Sequence, residues 1–425
     1  MRGLILVLAL ALMPFSAHAQ DIAAAERAIA AGRHAEGLAM AEAVQPRDEA
    51  ETVRRLWAIA VGYGRQGRPR AAIVPLERLV ALQPADPRWR LELAAALAET
   101  GQQDRARYHY ELARGADNLA PPIRRALEQR LDALDRDKNW YLDFRLALIP
   151  ESNAEKRTGA ERVTIGGLQF GINPNARERP ATGLDFGLGV TLLPQLAPDL
   201  RARLSAQFDA RLFDGNASDD VTLRMGAGLL RFADHGQRLS ADLFTTRRWL
   251  AGRAYTRSVG LELGYSRRIS ERMTFGATLL RDRTDYLSTP FHADRNALFL
   301  QAMHVVSSQL LLRGGLRFEN RRSANPGLAG DAAGISLGGQ YLFAGGLRVA
   351  LDLHFDRNDF DGLHPLFGIR RQDRRQQAVI QITNANWNYK GFAPVLKLGY
   401  DRQKSTVIMN DYRNLSAAIG FTRSF

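Results

Sequence analysis

The sequence predicts an α-helical solenoid of tetratricopeptide type followed by a transmembrane antiparallel β-barrel of about fourteen strands. Three observations predict it. The first third is rich in Ala, Leu, Arg and Glu and repeats with a period near 34 residues. The remainder alternates apolar and polar residues in segments of about ten to thirteen residues. The chain ends in an apolar strand that finishes on Phe425.

At 425 residues the chain is long enough for two domains. It contains no cysteine, which excludes disulfide scaffolds, thiolate metal sites and cysteine nucleophiles. The formal charge is +13, from 58 Lys+Arg against 45 Asp+Glu, yet only five of the 58 are lysine. That arginine bias weakens the charge as a sign of nucleic-acid binding, and the compartment removes it. Arg2 precedes an apolar run, Leu4 to Met13, which Pro14 interrupts before Ala17-His18-Ala19. This is the pattern of a secretory signal over residues 1–19, cleaved before Gln20. Ten apolar residues are too few to span a bilayer as a helix, which needs about 20. No cysteine follows the cleavage site, so the chain is not expected to be lipidated there.

Residues 20–139 form the expected periplasmic helical domain. Tyr63, Gly67, Ala72, Leu76 and Leu79 recur 34 residues later as Leu97, Gly101, Ala106, Tyr110 and Ala113, and Gly32, Gly37 and Leu38 anticipate them. Glycine turns the chain between paired helices, and a small residue five positions on lets the two approach closely. Roughly three such units are expected, with 121–138 as a capping helix and a concave surface suited to a peptide or protein. A generic helical bundle is the plainer alternative. Charge supports a boundary near 139: residues 21–139 hold 19 basic and 18 acidic residues, residues 140–425 hold 38 and 27.

From 140 onward the pattern is that of strands. Leu200 to Leu212 is apolar at every second position, interleaved with Arg201, Arg203, Ser205, Gln207, Asp209 and Arg211; the runs beginning at Leu310 and Leu347 behave alike. Period two means a sheet whose faces meet different media, and segments this long suit tilted strands crossing a bilayer. Only closure satisfies the strand edges in lipid. By alternation Arg201, Arg203, Arg211, Arg313, Arg317, Arg348 and Lys397 face the lumen. They either form a basic interior suited to acidic passengers or pair with Asp209, Asp352, Asp356 and Asp401 on the same face. Phe421 and Phe425 share the lipid face of the last strand and form the expected assembly signal, with Arg423 departing from the pattern.

Fifteen strand-like segments can be counted, whereas termini on one side require an even number. Segment 162–172, apolar or small on both faces, is the weakest, so 140–148 is expected as the first strand and 162–172 as a partial plug in or over the lumen. The rival assigns the first strand to 162–172. Short turns are expected on the periplasmic side and a long outer loop at 358–374.

No enzymatic, metal or cofactor role is expected. Gly334-Ile335-Ser336-Leu337-Gly338 matches a nucleophile-elbow string, but the run continues as strand where the elbow needs a turn and a helix. Asp356, Asp359, Asp361 and Gly362 lack the ligand series of a calcium loop and read as a solvated acidic loop. His304 and His354 are single histidines in strands.

After the first strand comes Pro150-Glu151-Ser152-Asn153. With the signal segment, the repeats and the barrel, this step resembles the surface lipoprotein assembly modulator family, whose barrel domains begin with a similar Pro-acidic-Ser-Asn sequence. Glu151 stands where Asp is expected, and Ala154-Glu155 departs from the usual continuation. The resemblance implies an outer-membrane translocator delivering lipoproteins or related secreted proteins to the surface. Its helices would engage the passenger in the periplasm, and its barrel would form the passage. The implied partners are that passenger, the barrel-assembly machinery and outer-membrane lipids, with no nucleic acid. Two other readings compete: an exopolysaccharide exporter, for which three repeats is short, and a porin-like channel, which leaves the helices without a task.

Overall fold

The computed structural model describes residues 21–422 apart from 118, 138, 215–216, 234–235, 385–386 and 388–391. The expected signal segment and Phe425 lie outside the described residues. Among those described, seven α-helices precede the strands: α1 Ile22–Ala30, α2 His34–Ala43, α3 Glu49–Arg65, α4 Pro69–Leu82, α5 Pro87–Glu99, α6 Gln103–Arg114 and α7 Pro121–Asp137. Aspartates at 21, 48 and 86 cap α1, α3 and α5, each carboxylate accepting a first-turn backbone N–H. Gly32, Gly67 and Gly101 take positive φ of 80°, 68° and 78° where these same helices end. They sit at the repeat spacing read from the sequence. Gly37 shows why its position must be small, because a Cβ there would lie 2.6 Å from Ile29 Cγ1.

The chain divides into two compact units, the first ending at Leu79 and the second running from Val80 to Phe425. The first has its own core, built by Ile22, Ala25, Ile29, Leu38, Ala41, Val44 and Ile59. The change from helix to strand comes at 137–140, so the second unit holds α5, α6 and α7 as well as the sheet.

The strands are β1 Trp140–Glu151, β2 Arg162–Ile165, β3 Leu168–Gly171, β4 Ala181–Leu192, β5 Gln195–Ala197, β6 Leu200–Phe213, β7 Asp220–Phe232, β8 Arg238–Leu250, β9 Arg253–Arg268, β10 Met273–Tyr286, β11 His292–Val305, β12 Leu310–Arg322, β13 Gly330–Leu342, β14 Leu347–Leu363, β15 Arg370–Asn384, β16 Ala393–Ser405 and β17 Tyr412–Thr422. All but the short β2, β3 and β5 form one closed antiparallel barrel of fourteen strands, in which β1 pairs with both β4 and β17. Leucines such as Leu243, Leu279, Leu337 and Leu415 are exposed on the outer face, as a lipid-facing surface requires.

The even count follows because β1 is a barrel strand and 162–172 is not. Residues 162–171 form a separate hairpin, β2–β3, turned by Gly166 and Gly167 in the positive-φ region. It pairs with no strand of the wall, and its Leu168 and Phe170 are 66% and 46% exposed. Side chains apolar on both faces here mark a hairpin outside the wall. The loop expected at 358–374 is also shorter, since β14 continues to Leu363 and β15 starts at Arg370. Polar residues there ended the lipid-facing pattern without ending the hydrogen-bonded ladder. Short connections at 269–272, 306–309 and 343–346 lie at the end of the barrel that carries the helices.

Candidate functional site

The lumen is lined by the charged face of the alternating strands. Arg203 pairs with Asp242 at 3.0 Å, Arg313 with Asp352 at 2.7 Å and Arg317 with Asp356 at 3.0 Å. Arg211 pairs with Glu151. Arg201 donates to the Asn139 Oδ1 at 2.6 Å and to the carbonyls of Leu193 and Arg136. Arg348 lies over the Tyr108 ring at 4.9 Å. Lys397 borders a cavity of about 620 Å³ together with Asp143, Arg145, Gln207 and Gln381. Of the two readings of these residues, the geometry shows extensive cross-pairing: the four aspartates at 209, 352, 356 and 401 all take part in ion pairs.

Sequence reasoning did not single out several members of this ladder. Arg145 bridges Asp185 at 2.8 Å and Asp209 at 2.9 Å, Arg224 meets Glu262 at 2.8 Å, and Arg375 meets Asp401 at 2.6 Å. The same alternation would have found them. Gly334 and Gly338, from the hydrolase-like string, lie within β13, and a Cβ at either would overlap the Asp356 or Asp352 carboxylate. These glycines make room for the arginine pairs, so the string has a steric explanation. Asp356 and Asp359 lie within β14 and pair with Arg317 and Arg357, correcting the expected solvated loop.

Two structures occupy the ends of the lumen. At the end remote from the helices, the Pro150–Asn153 step fastens the first strand to the last. Ser152 N–H donates to the Leu415 carbonyl and its Oγ accepts from Leu415 N–H, both at 2.8 Å. Asn153 is fully buried. Its N–H donates to Asn414 Oδ1 at 2.9 Å, and its Nδ2 donates to the carbonyls of Arg157 and Arg413 at 2.7 and 3.0 Å. Its Oδ1 accepts from Arg157 N–H at 3.0 Å. Glu151 accepts from Asn414 Nδ2 at 3.0 Å while holding Arg211. Pro150 faces outward. The chain then turns inward: Ala154 packs on Ala147, Ile149 and Phe213, and Lys156 reaches Asp401 at 3.2 Å. Residues 152–158 therefore fold over this mouth, the position expected for 162–172.

At the other end α6 and α7 lie across the barrel mouth. Leu112 of α6 packs against Val305 and Leu311 at the β11–β12 turn, the first two at 1% and 0% exposure. Tyr108 hydroxyl accepts from Gln340 Nε2 at 2.8 Å. Carboxylates of the α6–α7 segment, Glu128 and Asp117, pair with Arg268 and Arg272, while Arg124 pairs with Glu271. Gly115 allows the closest approach, because a Cβ there would stand 2.6 Å from Val305 Cγ1 and 2.8 Å from the Ser307 carbonyl. The interface is dense in cations: Glu111 sits between Arg107 and Arg114, at 3.5 and 2.5 Å. Burial lowers the guanidinium of Arg90 to about 10, and burial beside Arg238 does the same for Arg107. Burial, then Arg90, Arg105 and Arg348, hold His109 well below 6.5 and therefore neutral.

Phe421 is exposed on the outer face of β17. A closed barrel with an apolar belt and a charged, end-capped lumen, preceded by helices, is an outer-membrane β-barrel protein. Residues 140–425 match the family model described as surface lipoprotein assembly modifier, and the chain belongs to that family. Surface lipoprotein assembly modifier 1 of Neisseria meningitidis serogroup B is 24% identical over 384 residues, covering 87% of this chain and 75% of that protein. A surface lipoprotein assembly modifier of Moraxella catarrhalis is 22% identical over 386 residues, covering 89% and 75%. Among solved structures, the outer-membrane channel DcaP of Acinetobacter baumannii aligns with a TM-score of 0.40 at 11% identity, covering 67% of this chain and 96% of that one.

Proposed function

We propose that this outer-membrane barrel, a participant in surface lipoprotein assembly, is itself the passage through which a lipoprotein or related secreted protein reaches the cell surface. In this reading residues 1–19 direct export, and residues 20–139 are a periplasmic domain whose tetratricopeptide-like helix pairs engage the passenger. The observation that carries the reading is the placement of α6 and α7 across the barrel mouth, within the same compact unit as the strands. A passenger held by the helices is thereby presented at the lumen entrance. Biogenesis uses the barrel-assembly machinery, which reads the terminal strand with Phe421 and Phe425. The protein works without catalysis or cofactor, and the mixed-charge lumen serves as a polar track for an unfolded or narrow segment. A simple porin is disfavoured by the segments folded over both mouths.

The test uses the cysteine-free background. Tyr108→Cys with Gln340→Cys, joined by a short cleavable thiol crosslinker, pins α6 to β13. In cells co-expressing a candidate lipoprotein, protease shaving of intact cells should show display lost on crosslinking and restored by reduction. Undiminished display with the crosslink in place would overturn the passage mechanism.

A further inference from the structure

On β14 to β17 the outer face changes character one step from the rim remote from the helices. Leu351, Leu353 and Phe355 are followed by Arg357, and Ile382, Ile380 and Ala378 lead through Gln376 to Arg374. Leu396, Leu398 and Tyr400 are followed by Arg402 and Lys404, and Ile419, Ala417 and Leu415 by Arg413. The register sets these cations against each other: Arg357 opposes Arg374, Arg374 opposes Lys404, and Arg402 opposes Arg413. Directly opposed like charges on one sheet face are destabilising.

Inside the barrel the arginines of the same strands meet carboxylates. Outside, two cations do so: Arg357 pairs with Asp359 at 2.8 Å and Arg402 with Asp411. Arg374, Lys404 and Arg413 are exposed and, among the described residues, have no carboxylate within 4 Å. Their height is informative. A strand tilted by about 40° advances roughly 2.5 Å along the barrel axis per residue, so about ten residues cross the apolar layer of about 25 Å. Counted from Asn384 and Pro394, that distance ends at Arg374 and Lys404. Arg374 and Lys404 therefore stand at headgroup depth, pointing at lipid, with Arg402 and Arg413 two residues closer to the apolar layer.

We infer that Arg374, Lys404 and Arg413, flanked by Arg357 and Arg402, form a binding site for the phosphate groups of a phosphorylated glycolipid, the lipopolysaccharide headgroup of the outer leaflet. Guanidinium groups suit phosphate oxygens through paired N–H donors, and the external anion removes the repulsion built into the register. The assignment to the outer leaflet rests on the orientation proposed above, with the helices in the periplasm.

The experiment uses the full chain, folded in a neutral detergent and titrated with bis-phosphorylated lipid A, with a neutral glycolipid of matching acyl chains, and with inorganic phosphate. Lipid A should bind and raise the unfolding temperature, while the other two should not. The combined variant Arg374→Gln, Lys404→Gln and Arg413→Gln should bind lipid A on the order of 100-fold more weakly at low salt. Arg374→Lys with Arg413→Lys should retain most of the affinity. Heat-modifiable gel mobility reports folding; where the triple variant does not fold, Lys404→Gln alone should lose about fivefold. Unchanged lipid A affinity in the variants, equal binding of the neutral glycolipid, or the same thermal shift from inorganic phosphate would each overturn the inference. Because binding is read in detergent, its failure is separate from a failure of the orientation, which surface labelling of cells tests by itself.

Discussion

Gly115→Ala is the sharpest probe of the helices across the barrel mouth. Gly115 follows α6 in an ordinary right-handed conformation, φ −70°, so a side chain there meets no backbone strain. What it meets is the barrel. The new methyl would stand 2.6 Å from Val305 Cγ1 and 2.8 Å from the Ser307 carbonyl, closer than such groups approach in folded proteins. Val305 is fully buried against Leu112 and Leu311, so neither side can yield freely. Overpacking of this kind costs about 1–3 kcal/mol. If it falls on docking alone, the undocked fraction rises by roughly 5- to 150-fold. Single-channel recording in planar bilayers is the assay: the wild-type protein should be mostly closed, and Gly115→Ala should show proportionally more frequent conducting events. Leu112→Ala, which opens a cavity at the same contact, should act in the same direction. A variant that folds normally yet keeps the wild-type open frequency would refute the view that these helices close the mouth.

Other expectations concern the remaining closures and the orientation. Asn153→Ala removes the side-chain bonds to the Arg413 and Arg157 carbonyls and to the Arg157 N–H at the barrel seam; it should destabilise the barrel by about 2–4 kcal/mol, read as a lower temperature for the shift from compact to unfolded gel mobility. His109 is held neutral while docked, so undocking takes up a proton once the pH falls below about 6.5. The docked state should lose stability as the pH falls below that value, with smaller amide-exchange protection factors in α5 and α6 at pH 5.5 than at 7.5 once each is corrected for the intrinsic rate at its pH, and His109→Gln should flatten the difference. An epitope inserted at Leu366, exposed in the 364–369 loop, should bind antibody on intact cells; labelling only after permeabilisation would invert the orientation. Gly362 is a poorer site, because a Cβ there would lie 2.6 Å from the backbone of Pro326.

What was legible in the sequence was what depends on periodicity. Alternation over 140–148 identified the first strand and, with parity, removed 162–172 from the wall. The glycine spacing at 32, 67 and 101 marked three helix ends. What failed depended on contacts between distant residues. Leu112, Val305 and Leu311 look like ordinary core positions of separate elements, and only the folded chain shows them meeting. The charge shift near 139 falls where helix gives way to strand, while α5, α6 and α7 share the compact unit of the sheet. The inward turn at 152–158 was missed because its anchors, Asn414 and Asp401, lie some 250 residues away. Parity assigns the arginines to one face, but their partners depend on strand register, which alternation alone does not fix.

The fastening at Asn153 bears on how the chain is finished as well as how it is held. Its partners on β17 are about 260 residues further along the chain. Until that last strand arrives, the side chain of Asn153 has only the local Arg157 backbone to bind, and Glu151 has no Asn414. An incomplete sheet thus displays an under-satisfied amide at its leading edge, and a completed one hides it entirely. Order of synthesis is in this way written into a chemical difference at a single residue, available to any folding factor that samples open strand edges before the ring shuts.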